Sequence, residues 1–346
     1  MDADVRFMHR ALALARRAWG RTSPNPMVGA VAVRDGQIVG EGFHPRAGEP
    51  HAEVFALRAA GEAARGATLY VTLEPCSTYG RTPPCVEAIL RAGVARVVAA
   101  TADPNPAHAG RGLAQLRAAG VAVTTGVLEE DAAELNKGFF HRMRTGKPYV
   151  ILKMAMTLDG KIATAAGESK WITGEAARSR VQKLRQWCDA VMVGAATVRI
   201  DRPGLIVRSP RNWPCQPERW IFGRMSREEL AAFFPDGNAR TCAPRTPEAW
   251  EAFLLELGKR SVNGLLLEGG GELAGCALQG GAVDEVEFHI APKLLTGRDS
   301  RPVTGGADPA ALADAFMLEN RRVRTLGQDL IVSGKVARRR SLCLPD

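Results

Sequence analysis

Residues 51–85 read HAEVFALRAAGEAARGATLYVTLEPCSTYGRTPPC, and this stretch decides the fold of the first half of the chain. Its apolar spacing predicts a helix, then a buried strand, then a second helix that begins after two prolines. His51 begins the first helix, Cys76 follows the strand and Cys85 begins the second helix. One imidazole and two thiolates are three ligands for a tetrahedral zinc ion, so the fourth position stays open for water. The stretch therefore predicts a catalytic zinc site.

Glu53 supplies the acid–base group that such a site needs. Zinc lowers the pKa of a bound water from about 16 toward 7, and a carboxylate close to the imidazole ligand can carry a proton from that water to a leaving group. The order His-x-Glu followed by Pro-Cys-x-x-Cys is the signature of zinc-dependent nucleobase deaminases. Here eight residues separate the two cysteines, where that signature has two. The alternative interpretation is a buried histidine beside two unrelated core cysteines.

The chain as a whole has the composition of a globular protein, and its length suggests two domains. The 346 residues are 46% hydrophobic and 24% charged, which excludes collagen-like, disordered and small disulfide-rich proteins. A cluster of helix-breaking residues at 145–148 predicts a boundary between domains that span residues 1–146 and 147–346. Strands alternate with helices on both sides of this boundary. Both domains are therefore predicted to be α/β, the first with a three-layer arrangement.

The charge and the cysteines restrict the partners and the compartment. The formal charge of +9 favours anionic partners such as phosphorylated metabolites, dinucleotides or nucleic acid, although scattered solvated arginines are an equal interpretation. No run of 18 apolar residues occurs, and the N-terminus has no signal-peptide pattern. Seven thinly spaced cysteines suit a reducing compartment. We therefore predict a cytoplasmic protein without a membrane partner.

Further motifs extend along both halves of the chain. In the first half they are PNPMVGA at 24–30, GEPHAE at 48–53, VTLEPCS at 71–77, GRTPPC at 80–85, DPNP at 103–106, AGRG at 109–112 and LNKGFFHRMRTGKP at 135–148. In the second half they are LKMAMTLDGKIA at 152–163, GESKWIT at 167–173, GAATVRID at 194–201, LEGGGELAG at 267–275 and VDEVEFHIAPKLL at 283–295. These motifs, including the eight-residue gap between the cysteines, resemble the bifunctional RibD/RibG deaminase and reductase family of riboflavin biosynthesis.

The resemblance implies a cytidine-deaminase-like α/β domain followed by a dihydrofolate-reductase-like α/β domain. The first domain would remove the 2-amino group of a diaminopyrimidinone that carries a ribosylamino 5-phosphate, and would release ammonia. The second domain would use NADPH to reduce the ribosyl group to a ribityl chain. The resemblance also implies one zinc ion held by His51, Cys76 and Cys85, with Glu53 as the proton donor and acceptor.

Four residues of the first domain lie in matching segments and are predicted to bind the substrate. They are Asn25, His44, Glu49 and Asn105. The two asparagines stand between prolines, where a turn-forming asparagine is an equal alternative. The sequence departs from the family at Thr78, where the family often has histidine. This departure affects a substrate contact and leaves the zinc chemistry intact.

The second domain carries a longer set of predicted site residues. A guanidinium can bind phosphate through two parallel hydrogen bonds, so two arginines of this set are assigned to the substrate phosphate, Arg185 and Arg208. The residues predicted to bind the substrate are Ser169, Arg185, Leu205, Arg208 and Glu268. The residues predicted to bind NADPH are Ala155, Trp171, Thr197, Asp201, Gly269, Gly270 and Gly271. The polar candidates nearest to hydride transfer are Lys153 and Asp201.

Each of these assignments has a plain alternative. Arg185 lies on an amphipathic helix, so a solvated surface arginine is its competing interpretation. Trp171 is equally well explained by core packing. Three successive glycines at 269–271 let backbone N–H groups approach a pyrophosphate, but they also form ordinary turns.

Two further departures from the family fall in the second domain. The family commonly has Asp-Asp-Pro where this chain has Arg202 before its proline, and Asp after the next strand where this chain has Gly223 and Arg224. The two arginines are therefore candidates for binding the 2′-phosphate of NADPH. The departures also leave open a deaminase whose second domain only binds ligand or mediates assembly. Following the family, we expect a homo-oligomer formed through the reductase domain.

A deaminase that acts on nucleic-acid bases is the second alternative, because it uses the same zinc chemistry on a flipped base. Against it, the arginines are spread along both halves, and only 6% of the residues are aromatic. No platform of stacking side chains stands out. We therefore expect a small phosphorylated pyrimidine as the substrate and no nucleic-acid partner.

Overall fold

The computed structural model describes residues 2–79, 83–106 and 108–337. The chain divides into two compact units, Met1–Gly146 and Lys147–Asp346. Within the described ranges, no helix combines the length and the apolar character that are needed to cross a membrane.

The first unit is built on one five-stranded sheet. Its strands are β1 (Gly29–Arg34), β2 (Gln37–Phe43), β3 (Thr68–Val71), β4 (Arg96–Ala99) and β5 (Ala122–Thr125). Its helices are α1 (Ala3–Ala15), α2 (Ala52–Ala60), α3 (Cys85–Arg91), α4 (Arg111–Ala118), α5 (Glu129–Leu135) and α6 (Lys137–Thr145). The strand order is β2-β1-β3-β4-β5. Strand β1 is antiparallel to both neighbours, whereas β3, β4 and β5 are parallel.

Helices cover both faces of this sheet. Alternate residues of a strand point to opposite faces, and β1 follows this rule. Ala30 and Ala32 belong to one buried cluster with residues of α2, α3 and α4, whereas Val31 and Val33 belong to another cluster with residues of α1 and α5. The predicted three-layer α/β arrangement is confirmed.

Two glycines of β2 bring α2 directly onto the sheet. A Cβ atom at Gly40 would lie 2.2 Å from the carbonyl oxygen of Ala56, and one at Gly42 would lie 2.4 Å from the carbonyl oxygen of Ala52. Any side chain at these positions would push the helix away from the strand. The close approach fixes the first turn of α2, which carries His51 and Glu53.

The apolar spacing of residues 129–144 predicts one continuous helix, and this prediction is wrong. Two helices, α5 and α6, meet at Asn136 instead. The side chain of Asn136 is buried; it accepts a hydrogen bond from the backbone N–H of Met27 at 2.7 Å and donates one to the carbonyl oxygen of Met27 at 2.9 Å. These two bonds join residues 109 positions apart, so the helical periodicity of the segment gave no sign of them.

The second unit contains an eight-stranded sheet and a small two-stranded one. The strands are β6 (Tyr149–Thr157), β7 (Lys161–Ala163), β8 (Ala190–Gly194), β9 (Glu218–Phe222), β10 (Ala239–Cys242), β11 (Gly264–Glu268), β12 (Glu285–Ala291), β13 (Arg301–Pro302), β14 (Leu318–Leu326) and β15 (Asp329–Val336). The helices are α7 (Glu175–Trp187), α8 (Ala195–Asp201), α9 (Arg227–Phe233), α10 (Pro247–Lys259) and α11 (Gly271–Gln279).

The large sheet runs in the order β10-β9-β8-β11-β6-β12-β15-β14, and β7 pairs with β13. The first six strands in this order, from β10 at the edge to β12, are parallel. Strands β15 and β14 add an antiparallel pair at the other edge. Residues of α10 and α11 pack on one face, and residues of α7 and α8 pack on the other. This unit is also α/β, as predicted. Its parallel strands end at one common edge, where open α/β sheets place their ligands.

Candidate metal centre and cofactor pocket

Three metal-ligating side chains of the first unit meet at the start of α2. His51 is the residue before α2, Cys76 lies in the loop after β3, and Cys85 is the first residue of α3. Nδ1 of His51 lies 3.2 Å from Sγ of Cys85 and 3.4 Å from Sγ of Cys76. The three ligand atoms all lie within 4.8 Å of one another. The ligand set predicted from the sequence is therefore brought together in space.

The chemistry of this donor set fits zinc. One imidazole nitrogen and two thiolate sulfurs are ligands that zinc prefers, and three protein ligands leave a fourth tetrahedral position. The hydrogen bond between the two thiols, together with those from His51 and the backbone N–H of Cys85, lowers the pKa of Cys76 to about 4. The same thiol–thiol bond raises the pKa of Cys85. The pair thus carries a negative charge at neutral pH, which attracts a cation.

Glu53 lies in the first turn of α2, two residues from His51. Its side chain is buried, and burial raises its pKa to about 7. Its Oε2 atom has no hydrogen-bond partner among the described residues. Since buried polar atoms are nearly always satisfied, this oxygen is available to a water or to a substrate atom. A carboxyl group in this position fits the acid–base role that the sequence predicts.

Two of the predicted substrate residues lie beside the metal ligands. Nδ2 of Asn25 is 3.2 Å from Nε2 of His44, and Nδ1 of His44 is 3.1 Å from the carbonyl oxygen of Pro50. The rings of His44 and His51 meet edge-on, with their centroids 5.3 Å apart. Burial lowers the pKa of His44, so its imidazole is neutral at physiological pH. Asn25 and His44 therefore form a polar wall next to the metal ligands.

The other predicted residues of the first unit have different surroundings. Glu49 forms an ion pair with Arg46 at 2.9 Å, and its side chain is 39% exposed. Thr78 is exposed. Asn105 lies in the loop before α4, where its backbone N–H donates to Oδ1 of Asp103 at 2.9 Å.

Sequence reasoning missed Glu74, which lies two residues before Cys76. Its carboxylate is buried and accepts hydrogen bonds from the backbone N–H groups of the segment that carries Asn105. The only signal in the sequence is a carboxylate that follows a buried strand with no basic residue nearby. That signal does not reveal its partners, because they are backbone groups about 30 to 40 positions away in the sequence.

The second unit has a cavity of about 690 Å³ at the common edge of its parallel strands. Every residue that the sequence analysis assigned to the site of the second domain lines this cavity. They are Lys153, Ala155, Ser169, Trp171, Arg185, Thr197, Asp201, Leu205, Arg208, Glu268, Gly269, Gly270 and Gly271. Arg202 lines it too, whereas Arg224 lines a neighbouring cavity of about 590 Å³. Both cavities include Gly223 in their walls.

Arg185 is bound to a carboxylate inside this cavity. Its guanidinium donates two hydrogen bonds to Glu268, at 2.6 and 2.7 Å, and one to the carbonyl oxygen of Ile206 at 3.0 Å. Burial acts to raise the pKa of Glu268, but the charge of Arg185 outweighs it and holds that pKa below its ordinary value. Arg185 is only 7% exposed, so the alternative of a solvated surface arginine is wrong.

Arg208 differs from Arg185 because its guanidinium has no hydrogen-bond or ion-pair partner among the described residues. Only its backbone N–H is bonded, to Oε1 of Gln182 at 2.7 Å. The guanidinium lies close enough to Glu268 to lower the pKa of that carboxyl. Of the two arginines assigned to phosphate, Arg208 is thus the one whose donors are available.

Lys153 lies between two acidic residues on neighbouring strands. In the register of the sheet, Lys153 stands opposite Glu268 of β11 on one side and opposite Glu287 of β12 on the other. Burial lowers the pKa of Lys153. Asp201 also lines the cavity, and its Oδ1 accepts a hydrogen bond from Oγ of Ser169 at 2.9 Å.

Trp171 and the glycine loop form another part of the wall. Trp171 is 62% exposed, so the core-packing alternative is wrong, and the guanidinium of Arg178 lies 4.7 Å from its ring centroid. Gly269 and Gly270 have φ values of +72° and +87°, which favour glycine. A Cβ atom at Gly270 would lie 3.3 Å from Oγ1 of Thr197. The loop leads into α11, whose N-terminus presents free backbone N–H groups, so it fits a pyrophosphate.

Comparisons with known proteins identify the family of each unit. The family model of the cytidine and deoxycytidylate deaminase zinc-binding region matches residues 1–101. The family model of the RibD C-terminal domain matches residues 148–332. The riboflavin biosynthesis protein RibD of Escherichia coli is 45% identical and covers 94% of this chain and 98% of its own length. The RibD of Mycobacterium tuberculosis is 43% identical and covers 91% of this chain and 92% of its own length.

Solved structures extend this likeness to three dimensions. Acinetobacter baumannii RibD is 43% identical, has a TM-score of 0.90, and covers 97% of this chain and 99% of its own. A Thermotoga maritima protein described as a diaminohydroxyphosphoribosylaminopyrimidine deaminase/5-amino-6-(5-phosphoribosylamino)uracil reductase is 36% identical, has a TM-score of 0.85 and covers the same shares. With a zinc-binding deaminase domain and a reductase domain of the type that uses NADPH, this chain belongs to the RibD family of bifunctional deaminase–reductase enzymes.

Proposed function

We propose that the first unit deaminates a 2,5-diaminopyrimidin-4-one that carries a 5-phosphoribosylamino group, and that the second unit then reduces the ribosyl chain of the product. The substrate is the one that the description of the Thermotoga maritima relative indicates. The observation that carries the proposal is the cluster of His51, Cys76 and Cys85 beside the unpartnered buried oxygen of Glu53.

In the deamination, His51, Cys76 and Cys85 hold the zinc ion. When bound, zinc supplies the nucleophile, because it lowers the pKa of a coordinated water toward about 7. Glu53 takes the proton of the attacking water at Oε2 and delivers it to the 2-amino nitrogen, which leaves as ammonia. Water replaces the amino group as a carbonyl oxygen, so the pyrimidinone becomes a pyrimidinedione.

Asn25 and His44 hold the ring of the substrate beside Glu53. Their side chains lie 3.2 Å apart. The neutral imidazole of His44 would exchange one of its present hydrogen bonds, to Asn25 or to the Pro50 carbonyl oxygen, for one to the substrate. Asn105 binds the substrate from the loop before α4. Glu49 binds the substrate through its carboxylate, once the ion pair with Arg46 is broken.

In the reduction, NADPH supplies a hydride to C1 of the open-chain ribosyl group. The backbone N–H groups at 269–271 bind the pyrophosphate, and Trp171, Thr197, Asp201 and Ala155 line the rest of the cofactor path. Arg208 binds the substrate phosphate through its free donors. Lys153 and Asp201 orient the reacting atoms or supply the proton that accompanies the hydride.

Arg185 has a different role in this proposal from the one that the sequence suggests. Both of its guanidinium edges are engaged, by Glu268 and by the Ile206 carbonyl. It therefore positions Glu268 against the substrate, beside Ser169 and Leu205, and leaves the phosphate to Arg208. Arg202 and Arg224 bind the 2′-phosphate of NADPH from the two cavities that meet at Gly223.

The gathering of all assigned residues of the second unit around one cavity supports an active reductase over a domain that only binds ligand. We further propose a homo-oligomer formed through the reductase domain, because reductase domains of this family tend to pair. A cytoplasmic location suits the two thiol ligands, which must stay reduced. Sedimentation of the full chain over a range of concentrations tests the oligomer.

One incubation tests the proposed function. Purified, zinc-loaded protein is given the diaminopyrimidinone ribosylamino phosphate together with NADPH, and ammonia and the absorbance of NADPH are followed together. We expect one NADPH to be consumed for each ammonia released. Ammonia without loss of NADPH would contradict the reductase assignment, and a chain that binds single-stranded nucleic acid and deaminates its bases would contradict the small-molecule substrate.

A further inference from the structure

The buried carboxylate of Glu74 joins two parts of the deaminase site that are distant in sequence. Oε2 of Glu74 accepts hydrogen bonds from the backbone N–H groups of Asp103 at 3.0 Å and of Gly110 at 2.8 Å. Oε1 accepts one from Gly112 at 2.8 Å and a longer one from Leu113 at 3.4 Å. Both oxygens are thus engaged by the segments 103–106 and 108–113.

The side chain of Glu74 is held by backbone donors and not by a cationic side chain. Glu74 is 6% exposed, and among the described residues it forms no ion pair with lysine, arginine or histidine. Backbone N–H groups therefore satisfy both of its buried oxygens. Gly112 and Leu113 also lie in the first turn of α4, where the helix dipole favours a negative charge.

The start of α4 packs directly against the backbone that follows Glu74, with no free space between them. A Cβ atom at Gly112 would lie 2.1 Å from the carbonyl oxygen of Pro75, the residue between Glu74 and Cys76. The start of α4 therefore rests on the backbone that leads to the metal ligand. The backbone N–H of Glu74 also donates to the carbonyl oxygen of Thr101 at 2.9 Å, so the loop is held at both of its ends.

The loop held in this way carries Asn105. The Asn105 N–H donates to Asp103, and the carbonyl oxygen of Asn105 accepts from the N–H groups of His108 and Ala109, each at 2.9 Å. The backbone of Asn105 thus follows the positions of Asp103 and Gly110, and both of these are bound to Glu74. Through this chain of contacts, the position of Asn105 relative to Cys76 depends on one carboxylate.

We propose that Glu74 is a positioning residue of the deaminase, which sets the distance between Asn105 and the metal ligands and thereby controls substrate affinity. Glu74 itself touches neither the substrate nor the metal. The inference rests on the proposed function, in which Asn105 binds the pyrimidine substrate.

The test compares full-length, zinc-loaded Glu74→Gln with the unaltered enzyme. Glutamine turns one acceptor into a donor that faces backbone N–H groups, so two of the bonds are lost. We expect the KM for the pyrimidine substrate to rise about tenfold or more, the loss being that of hydrogen bonds to a charged group, while kcat, zinc content and NADPH oxidation by the second unit change little. Glu62→Gln, at an exposed glutamate of the same unit, is the matched control.

A double-mutant cycle separates positioning from a general structural role. If Glu74 acts through Asn105, the variant that combines Glu74→Gln with Asn105→Ala should bind substrate no more weakly than Asn105→Ala alone. Additive losses would overturn the proposal, as would loss of zinc in Glu74→Gln. Glu74→Asp keeps the charge on a shorter arm and should show a smaller rise in KM. If neither variant at this position folds, Glu74 is a residue of the fold, and the proposal is wrong.

Hydrogen exchange provides a readout that does not depend on activity. The amides of Asp103, Gly110 and Gly112 should exchange faster in Glu74→Gln, whereas those of α1 should not change. Unchanged exchange at these three amides would overturn the proposal even if the enzyme is active. If the unaltered enzyme releases no ammonia, the proposed function fails, and the exchange experiment still decides whether Glu74 holds the loop.

Discussion

Arg185 and Glu268 face each other across 83 positions of sequence, with two N–O contacts of 2.6 and 2.7 Å inside the reductase cavity. Their side chains are 9% and 12% exposed. A second arginine–glutamate pair of the same unit, Arg199 and Glu229, has similar contacts of 2.9 and 3.2 Å but side chains that are 45% and 38% exposed. The two pairs differ mainly in burial.

This difference predicts unequal effects on stability. Arg185→Met leaves the buried Glu268 carboxylate without its hydrogen-bonded partner, which should cost about 3–5 kcal/mol of unfolding free energy. Arg199→Met breaks an exposed pair and should cost about 0–1 kcal/mol. Urea unfolding followed by tryptophan fluorescence measures both, because five of the six tryptophans lie in the second unit. Equal losses in the two variants would contradict the prediction. Arg185→Met should also lose NADPH oxidation while still releasing ammonia.

Replacing Glu53 with glutamine should remove the proton carrier and keep the metal ligands. We expect ammonia release to fall by a factor of about 10²–10⁴, the usual contribution of a positioned acid–base group. Zinc content and NADPH oxidation with the deaminated intermediate should stay normal. Glu130→Gln, at an exposed glutamate of α5, serves as the control. A Glu53→Gln variant with normal turnover would disprove the role of Glu53.

The metal assignment predicts a sharp difference between cysteines. Cys85→Ala should lose most of its zinc and its ammonia release, whereas Cys215→Ala, at an exposed cysteine of the second unit, should keep both. Chelation of zinc from the unaltered enzyme should stop ammonia release, and NADPH oxidation should stay intact when the deaminated intermediate is supplied. Metal analysis of each purified variant gives the answer. Retention of zinc by Cys85→Ala would show that another residue completes the site.

Acid should weaken the second unit through Glu287 and His289. Burial acts to raise the pKa of Glu287, but hydrogen bonds from His289 and Arg180 outweigh it and lower that pKa to about 2. The folded state then binds fewer protons than the unfolded state, so this carboxylate stabilises the fold above about pH 5, and its contribution of about 3 kcal/mol is lost as the pH falls toward 2. Burial also lowers the pKa of His289, which adds a loss of stability that begins near about pH 6.5.

Unfolding by acid, followed by tryptophan fluorescence, measures this dependence. Glu287→Gln should begin less stable at neutral pH and lose less between about pH 5 and 2. Glu319→Gln, at an exposed glutamate of β14, should behave like the unaltered chain. A Glu287→Gln variant with the full acid sensitivity would refute the account.

The proposal for the 2′-phosphate concerns cofactor preference. Arg202→Ala and Arg224→Ala should each reduce the preference for NADPH over NADH about tenfold, because each removes a charge-assisted contact. Arg227→Ala, at an exposed neighbour of Arg224, is the control. Binding measured by the fluorescence of the reduced cofactor reports preference without turnover. A preference that does not change in either variant would exclude both arginines.

The sequence predicted that His51, Cys76 and Cys85 come together near Glu53, because short motifs place them at the start of α2, in the loop after β3 and at the start of α3. It also predicted which residues line the reductase cavity, since that cavity lies where the parallel strands end. It did not predict the bond between Arg185 and Glu268 or the hydrogen bonds from the backbone to Glu74. Both depend on contacts between segments that only the tertiary fold brings together.

Secondary structure shows the same limit. The two helices that meet at Asn136 read as one, because a helix ended by distant hydrogen bonds keeps its apolar spacing. Strand β14 was not predicted, since its residues are almost all exposed and three of them are arginines. An edge strand of this kind has no buried face to produce the alternation that marks a half-buried strand.

The close packing of α2 against Gly40 and Gly42 has a consequence for the assembly of the enzyme. His51 and Cys85 stand at the starts of α2 and α3, and both helices pack against the sheet through one apolar cluster, so the core of the unit forms without any contribution from a metal ion. A small zinc finger, in contrast, obtains its folding free energy from the metal. In this unit, zinc binds to a fold that the apolar core already stabilises. We therefore expect that zinc can be withdrawn and restored while the chain stays folded, so that the metal-free protein is a folded precursor of the active deaminase.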